Sequence, residues 1–213
     1  MKDKFSVLIP TLFHSQILTD LCSAFEKHDL VKEIIVLDNT GQSTHRFPEK
    51  KLTIIPGKKE NYVNLSWNQL VEFSRSEYFA LLNDDILLDP NILFEILDHD
   101  WTIPSIIGLD FDTIVTKKNL QNPEVIPMID KYESMPFGWG QALFGKKSQW
   151  PVIPEYLKIW CGDNYLCNKL DPYILQNVFW EGTIQTTSGK KEFYEIKQRD
   201  VQRWHILVEK GLI

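Results

Sequence analysis

Tyr78-Phe79-Ala80-Leu81-Leu82-Asn83-Asp84-Asp85-Ile86-Leu87-Leu88-Asp89-Pro90 is the stretch on which the reading of this chain turns. Phe79 to Leu82 form an apolar run of the length expected for a strand buried on both faces. The run ends abruptly on Asn83, Asp84 and Asp85. Carboxylates at the end of a buried strand are costly unless something compensates their charge. Open α/β sheets bind ligands at the carboxyl ends of their strands. Two acids placed there read as a divalent-metal site facing a phosphate. The competing reading is a turn and cap built by Asn83 and Asp84 alone. Asp89 and Pro90 then predict a helix start, as N-cap and first helical residue. Ile92, Leu93, Ile96 and Leu97 give that helix an apolar face.

Outward from this stretch, strand and helix patterns alternate. Phe5 to Ile9 predicts a first buried strand, ended by Pro10-Thr11. Ile17, Leu18, Leu21, Cys22 and Phe25 follow at helical spacing. Glu33 to Leu37 predicts a second strand, closed by Asp38-Asn39 and the turn signal Thr40-Gly41. Leu52 to Ile55 predicts a third, closed by Pro56-Gly57. Asn61 to Ser74 reads as a helix with Leu65, Leu70, Val71 and Phe73 inward. Such alternation predicts an α/β fold with a mostly parallel central sheet, flanking helices and right-handed crossovers. Residues up to Asp110 make a Rossmann-like half.

Beyond Asp110 the pattern changes. Asp110 to Pro136 is irregular, and loops with an antiparallel strand are expected. Phe137 to Gly145 is rich in glycine and aromatic residues and runs into a strand. A helix opens near Trp160 and includes Leu166 and Leu170. Tyr173 to Trp180 predicts a strand, Gly182 to Lys191 a polar loop, and Glu192 to Gly211 an amphipathic helix on Phe193, Ile196, Val201, Trp204 and Val208.

The chain has 213 residues, 43% of them hydrophobic, enough for one substantial core. A net charge of −6 argues against non-specific nucleic-acid binding. No apolar leader follows Met1 and no stretch is long enough to span a bilayer, so a cytoplasmic protein without a transmembrane segment is expected. Cys22, Cys161 and Cys167 lack the spacing of a zinc site and are expected as reduced thiols.

Several chemistries are disfavoured by missing motifs. There is no Gly-x-Gly-x-x-Gly after the first strand, no Gly-Lys-Ser/Thr loop and no Gly-x-Ser-x-Gly elbow. Pro10-Thr11, Asp38-Asn39 and Asn83-Asp84-Asp85 remain. In a parallel sheet, all three groups converge on one edge.

Taken in order, the motifs resemble those of GT-A fold nucleotide-sugar glycosyltransferases, the family 2 type. Val7 to Thr11 is similar to that family's first strand and Ile35 to Asn39 to its second. Asn61 through Asn68 falls where such enzymes carry an Asn-containing helix. Asn83-Asp84-Asp85 resembles the Asp-x-Asp motif, Phe137 to Lys147 the glycine-containing acceptor segment, and Gly162 to Leu166 the motif that carries the base. The resemblance spans nearly the whole chain. It implies a single domain over residues 1–213, with residues 1–110 the nucleotide-sugar half and residues 111–213 a smaller acceptor half. The same domain type occurs inside larger transferases, including those of large algal viruses. Two positions depart from the pattern. Asn83 replaces the first Asp, and Gln185 stands where a metal-binding His is common. The one late histidine, His205, reads as a partly exposed helix residue more readily than as a ligand.

The resemblance also assigns roles. Asp85 would hold Mn²⁺ or Mg²⁺. Pro10, Thr11, Asp38, Asn39, Asn61, Asn68, Asn83 and Asp84 would line the nucleotide-sugar site, with Asp38 accepting the N3–H of uracil in a UDP-sugar. Gly138, Trp139, Gly140 and Trp160 would face a glycan or glycoprotein acceptor, with core packing as the ordinary alternative for each tryptophan. Asp163 would be the base of an inverting transfer, with helix N-cap as its ordinary alternative. Apart from the resemblance, Lys58, Lys59 and Arg75 are cations that could neutralise phosphate, with a solvated surface as the default for all three. Two other functions stay open on the sequence: a sugar-phosphate nucleotidyltransferase, and a non-catalytic glycan-binding module using Trp139, Trp160 and Trp180 as platforms.

Overall fold

A computed structural model describes residues 4–42, 49–110, 122–129, 135–136, 138–182 and 190–212. Its centre is an eight-stranded sheet, in which strands β1 (Phe5–Thr11), β2 (Val31–Asp38), β3 (Leu52–Pro56) and β4 (Tyr78–Leu82) stand in the order β3-β2-β1-β4, all parallel. All seven residues of β1 are buried. Its alternation sends Phe5, Val7 and Ile9 to one face, where they meet Leu18, Leu21, Cys22 and Phe25 of helix α1 (Leu18–Glu26). Leu8 goes to the other face, with Trp67, Leu70 and Val71 of helix α2 (Tyr62–Phe73). Each large apolar side chain buried this way contributes about 1.5–3 kcal/mol.

The sheet continues with β6 (Ser105–Leu109), β7 (Glu124–Pro127), β8 (Ala142–Lys146) and β9 (Asp171–Gln176) in the order β4-β8-β6-β9-β7. β8 runs antiparallel between β4 and β6, so the second half of the chain inserts a strand beside the first half. β7 is the antiparallel strand expected after Asp110. β5 (Ile86–Leu88) and β10 (Trp180–Gly182) make a separate two-stranded ladder. Helices α3 (Ile92–Asp98), α4 (Gly162–Lys169) and α5 (Tyr194–Glu209) complete the architecture.

Local differences from the sequence reading have physical causes. β1 does not end at Pro10. It pairs with β4 only through Leu8, but with β2 as far as Thr11. Pro10, which has no N–H, lies past the end of the β4 ladder and costs that side nothing. α3 starts two residues after Pro90, with Asn91 at the N-cap, because Asp89 Oδ1 accepts the Asn91 N–H (2.9 Å) in a turn of its own. The strand expected over Tyr173 to Trp180 breaks at Asn177, which adopts φ 61°, and resumes as β10 in the other sheet. Phe73, at the end of α2, is 51% exposed rather than inward, and Val208 is also exposed. The three cysteines are buried free thiols. No described helix is long and apolar enough to cross a membrane.

Candidate functional site

In the order β3-β2-β1-β4, the connection reverses between β1 and β4, which opens a crevice at their carboxyl ends. Thr11 and Asp84 stand on its two sides, and the Thr11 hydroxyl donates to Asp84 Oδ2 (2.5 Å). Thr11 Oγ1 also accepts the Phe13 N–H (2.7 Å), so one side chain fixes both the crevice and the chain leaving β1. The Asn39 N–H donates to the Thr11 carbonyl, and Asn39 Nδ2 donates to Ser66 on α2. Gly57 is required beside it, since a Cβ there would stand 2.4 Å from Asn39 Oδ1. Asp38 is fully buried, and its Oδ1 accepts both the N–H and the hydroxyl of Thr40.

Asp84 and Asp85 are half-buried where β4 ends. Burial pushes the Asp84 carboxyl above its ordinary value, against the opposing hydrogen bond from Thr11. Burial, and then the Asp84 charge, push Asp85 up to about 6. No ion pair to Asp85 occurs among the described residues. A carboxylate in this condition suits a hard cation, whose charge would offset both penalties. No group of three or more His, Cys, Asp or Glu that could hold a metal occurs among the described residues. Such a cation would therefore draw ligands from a bound phosphate and water as well. β10 seals the far side: a Cβ on Gly182 would stand 2.3 Å from the Asp85 carbonyl oxygen. Gln185, which stands where a metal-binding His is common in the resembling family, follows three residues later and lies outside the described residues.

The second half brings Asp163 toward the same place. The Asn83 N–H donates to the carbonyl of Gln141 (2.9 Å), in the 3-10 turn Trp139–Gln141. Gly140, in the same turn, faces Asp163: a Cβ built there would stand 3.4 Å from Asp163 Cβ and 3.5 Å from Oδ2. Asp163 is not the N-cap of α4. That position is Cys161, held at φ 63°, and Asp163 lies in the first turn, where its Oδ1 accepts the Asn164 N–H (3.0 Å). Burial raises the Asp163 carboxyl above the usual range, and these backbone bonds only partly oppose it. A raised carboxyl is a better proton acceptor once ionised.

Other expected site residues do something else. Trp139 is a core residue, 1% exposed, with its Nε1–H donating to the Tyr173 carbonyl (3.0 Å). Its ring fills the space above Gly108, where a Cβ would meet it at 2.2 Å. A ring so enclosed offers no face to a sugar. Asn68 is spent on the loop before α4: Nδ2 donates to the Ile153 carbonyl, and Oδ1 accepts from Trp150 Nε1 and the Ile153 N–H. Asn61 Nδ2 donates to Gln69. Gly138 takes φ 76° to open the 3-10 turn. Trp160 is half-buried, with Lys197 Nζ 3.8 Å from its ring centroid. Arg75 pairs with Glu33 at the amino ends of β2 and β4, away from the crevice. His205 is exposed on α5, and Lys58 is exposed as well. Phe137 lies outside the described residues.

Gly57 lies beside Asn39, and Asn64 and Asp200 hold the loop before α4; none of the three carries a recognised motif. Asp200 left one signal: Ile196, Asp200 and Trp204 follow at spacings of four, which puts a charge on the inward stripe of α5.

No protein-family profile matches the sequence, and no curated protein matches it. Solved structures do. Over 91% of its length the chain superposes on S. aureus TarS 1-349 with a TM-score of 0.59 at 16% identity, covering 63% of that chain. Against the same TarS piece in complex with UDP-GlcNAc the TM-score is 0.62 at 16% identity, with 91% of this chain and 64% of that chain covered. Against S. aureus TarS in a longer form it is 0.59 at 15% identity, with 91% and 38% covered. The chain thus spans less than two thirds of the length of these structures. What they share at this identity is architecture, and the chain has the GT-A-like fold of the TarS structures.

Proposed function

We propose that the chain is the donor- and acceptor-binding domain of a glycosyltransferase that moves a sugar from a nucleotide sugar, a UDP-sugar in particular, to a hydroxyl of a glycan. The observation that carries this reading is the link Asn83–Gln141–Gly140–Asp163, which joins an acidic strand end to a half-buried carboxylate from the other half of the chain. The GT-A-like fold supports it, as does a TarS structure in complex with UDP-GlcNAc.

In this reading residues 1–110 hold the donor and residues 111–213 the acceptor. Thr11, Asn39 and Asn83 line the crevice for the nucleotide and ribose. Asp85 would hold Mn²⁺ or Mg²⁺, which when bound neutralises diphosphate charge as a Lewis acid. Asp163 takes the proton of the acceptor hydroxyl while its oxygen attacks the anomeric carbon. The bond from that carbon to the diphosphate oxygen breaks, and the nucleoside diphosphate leaves with the electron pair. A single displacement of this kind inverts the anomeric centre.

The test is thermal-shift screening with UDP-, GDP- and dTDP-sugars, with and without Mn²⁺, followed by UDP-release assays on glycan acceptors. A ligand that binds only the folded state raises Tm. Stabilisation by UDP-sugars that increases with Mn²⁺ is expected. No shift with any nucleotide sugar would overturn the reading, and pyrophosphate release in place of UDP would replace it with nucleotidyl transfer.

A further inference from the structure

We propose that Asp200, on α5, is a positioning residue that sets the Asp163 carboxylate through the loop before α4. The proposal rests on the assignment of Asp163 as the base. Asp200 is fully buried. Its Oδ2 accepts three consecutive backbone N–H groups, those of Lys158 (2.9 Å), Ile159 (2.8 Å) and Trp160 (3.0 Å). Hydrogen bonds to an ionised acceptor are roughly twice as strong as neutral ones. Three of them on successive residues fix the course of the chain, and only Cys161 and Gly162 separate that clamp from Asp163.

The same loop is held from the opposite side by α2. The Asn64 N–H donates to the Lys158 carbonyl (3.2 Å), and Asn64 Nδ2 donates to the carbonyls of Leu157 (3.2 Å) and Trp160 (3.3 Å). Gly162 fits only as glycine, since a Cβ would stand 2.3 Å from Asn64 Oδ1. So the loop gives its donors to Asp200 and its acceptors to Asn64. Lys197, one turn before Asp200 on α5, covers the Trp160 ring. Between these holds, Cys161 adopts φ 63°, a left-handed conformation unfavourable for a side chain with a Cβ. The clamp imposes that bend, and the bend turns α4 so that Asp163 meets Gly140.

A buried charge is a poor way to gain stability, because desolvation offsets much of what its bonds return. It is a good way to hold a reacting group, and misplacing such a group by about 1 Å costs on the order of 10²-fold in rate. Asp200 makes no hydrogen bond to Asp163, so its effect passes through the loop.

The experiment is a double-mutant cycle on the intact chain. Asp200→Ala, Asp163→Asn and the combination are compared for kcat with saturating donor and acceptor, and for UDP affinity by calorimetry. Asp200→Ala is expected to lower kcat by about 10- to 100-fold with UDP affinity unchanged. In the Asp163→Asn background the same change should cost nothing further, since it acts only through that carboxylate. Wild-type kcat in Asp200→Ala, or an equal loss in both backgrounds, would overturn the proposal while leaving the base assignment intact. Wild-type kcat in Asp163→Asn would instead overturn the base assignment. If Asp200→Ala does not fold, Asp200→Asn carries the cycle, because it keeps one acceptor oxygen without the charge. It should lose kcat by a smaller factor, again only when Asp163 is present, and unchanged kcat there would overturn the proposal.

Discussion

Gly140 faces Asp163: a methyl group built on the glycine would stand 3.5 Å from Asp163 Oδ2 and 3.4 Å from the Trp67 ring, at ordinary van der Waals distance. The glycine is not demanded by backbone conformation, since its φ is not among the positive ones. It leaves open the space beside the carboxylate. Gly140→Ala is therefore expected to fold with unchanged Tm. It should raise the acceptor KM and lower kcat severalfold, because the methyl occupies the approach to Oδ2, and Gly140→Val should do so more strongly. Initial rates against acceptor concentration check this. Wild-type kinetics in Gly140→Val would mean that the acceptor reaches the site from another side.

The Asp85 carboxyl is raised by burial and by Asp84 up to about 6, from an ordinary 3.8. The sign of its effect on stability follows. The folded chain holds this proton at pH values where the unfolded chain has lost it, so the group is destabilising when ionised and less so as pH falls through about 6. Asp85→Asn removes the charge and keeps the shape. In EDTA at pH 7.5 the variant is expected to melt higher than wild type, and the gap should close between about pH 6 and the ordinary value near 3.8. Added Mn²⁺ with UDP should stabilise wild type and leave the variant unmoved. A variant that melts lower than wild type at pH 7.5 would show that Asp85 has a favourable partner in the folded chain.

Trp139 is held over Gly108 so closely that a single methyl group cannot be added there. Gly108→Ala forces the indole or β6 to shift, and overpacking of this kind typically costs about 1–3 kcal/mol. Trp139→Ala is expected to lose more, about 3–5 kcal/mol, as other buried tryptophans do. Urea denaturation measures both. A Trp139→Ala chain with near-wild-type stability and weakened glycan binding would restore the indole as a sugar platform.

What was legible in the sequence followed burial. The runs Val7 to Ile9, Ile35 to Leu37 and Phe79 to Leu82 are apolar without interruption because helices cover both faces of those strands, and their positions and the α/β class came out of that pattern directly. Strand ends were read well at β4, where Asn83 breaks the pattern, and less well at β1, where Pro10 is harmless only because β4 has already parted from it. Trp139 is enclosed although a tryptophan between two glycines suggests exposure. The partner that encloses it, Gly108, is 31 residues away and is brought there by the pairing of β6 with β8. Asp200 is hidden in the sequence for the same reason. Its three partners lie some 40 residues earlier, and a buried aspartate in a helix declares itself only through them.

Asp163→Asn separates catalysis from structure. In the wild type, Asp163 Oδ1 accepts the Asn164 N–H, and the side chain faces Gly140. Asparagine keeps an acceptor oxygen for the first and nearly the same volume for the second. Burial raises the Asp163 carboxyl, so its ionised form is disfavoured in the folded chain, and exchanging it for a neutral amide should leave Tm at pH 7.5 unchanged or slightly higher. The amide cannot take a proton from an acceptor hydroxyl. Loss of a general base typically costs about 10²–10⁴-fold in rate. Turnover is therefore expected to fall by about that factor, while UDP affinity by calorimetry is retained, because the proposed donor site is on the Thr11 and Asp85 side of the crevice. If transfer persisted near the wild-type rate, the proton would have to go to another carboxylate. Asp84 already accepts a hydrogen bond from Thr11, and Glu181 is exposed on β10. Glu181→Gln would then be the variant to lose activity, and Gly140 would have no part in the chemistry.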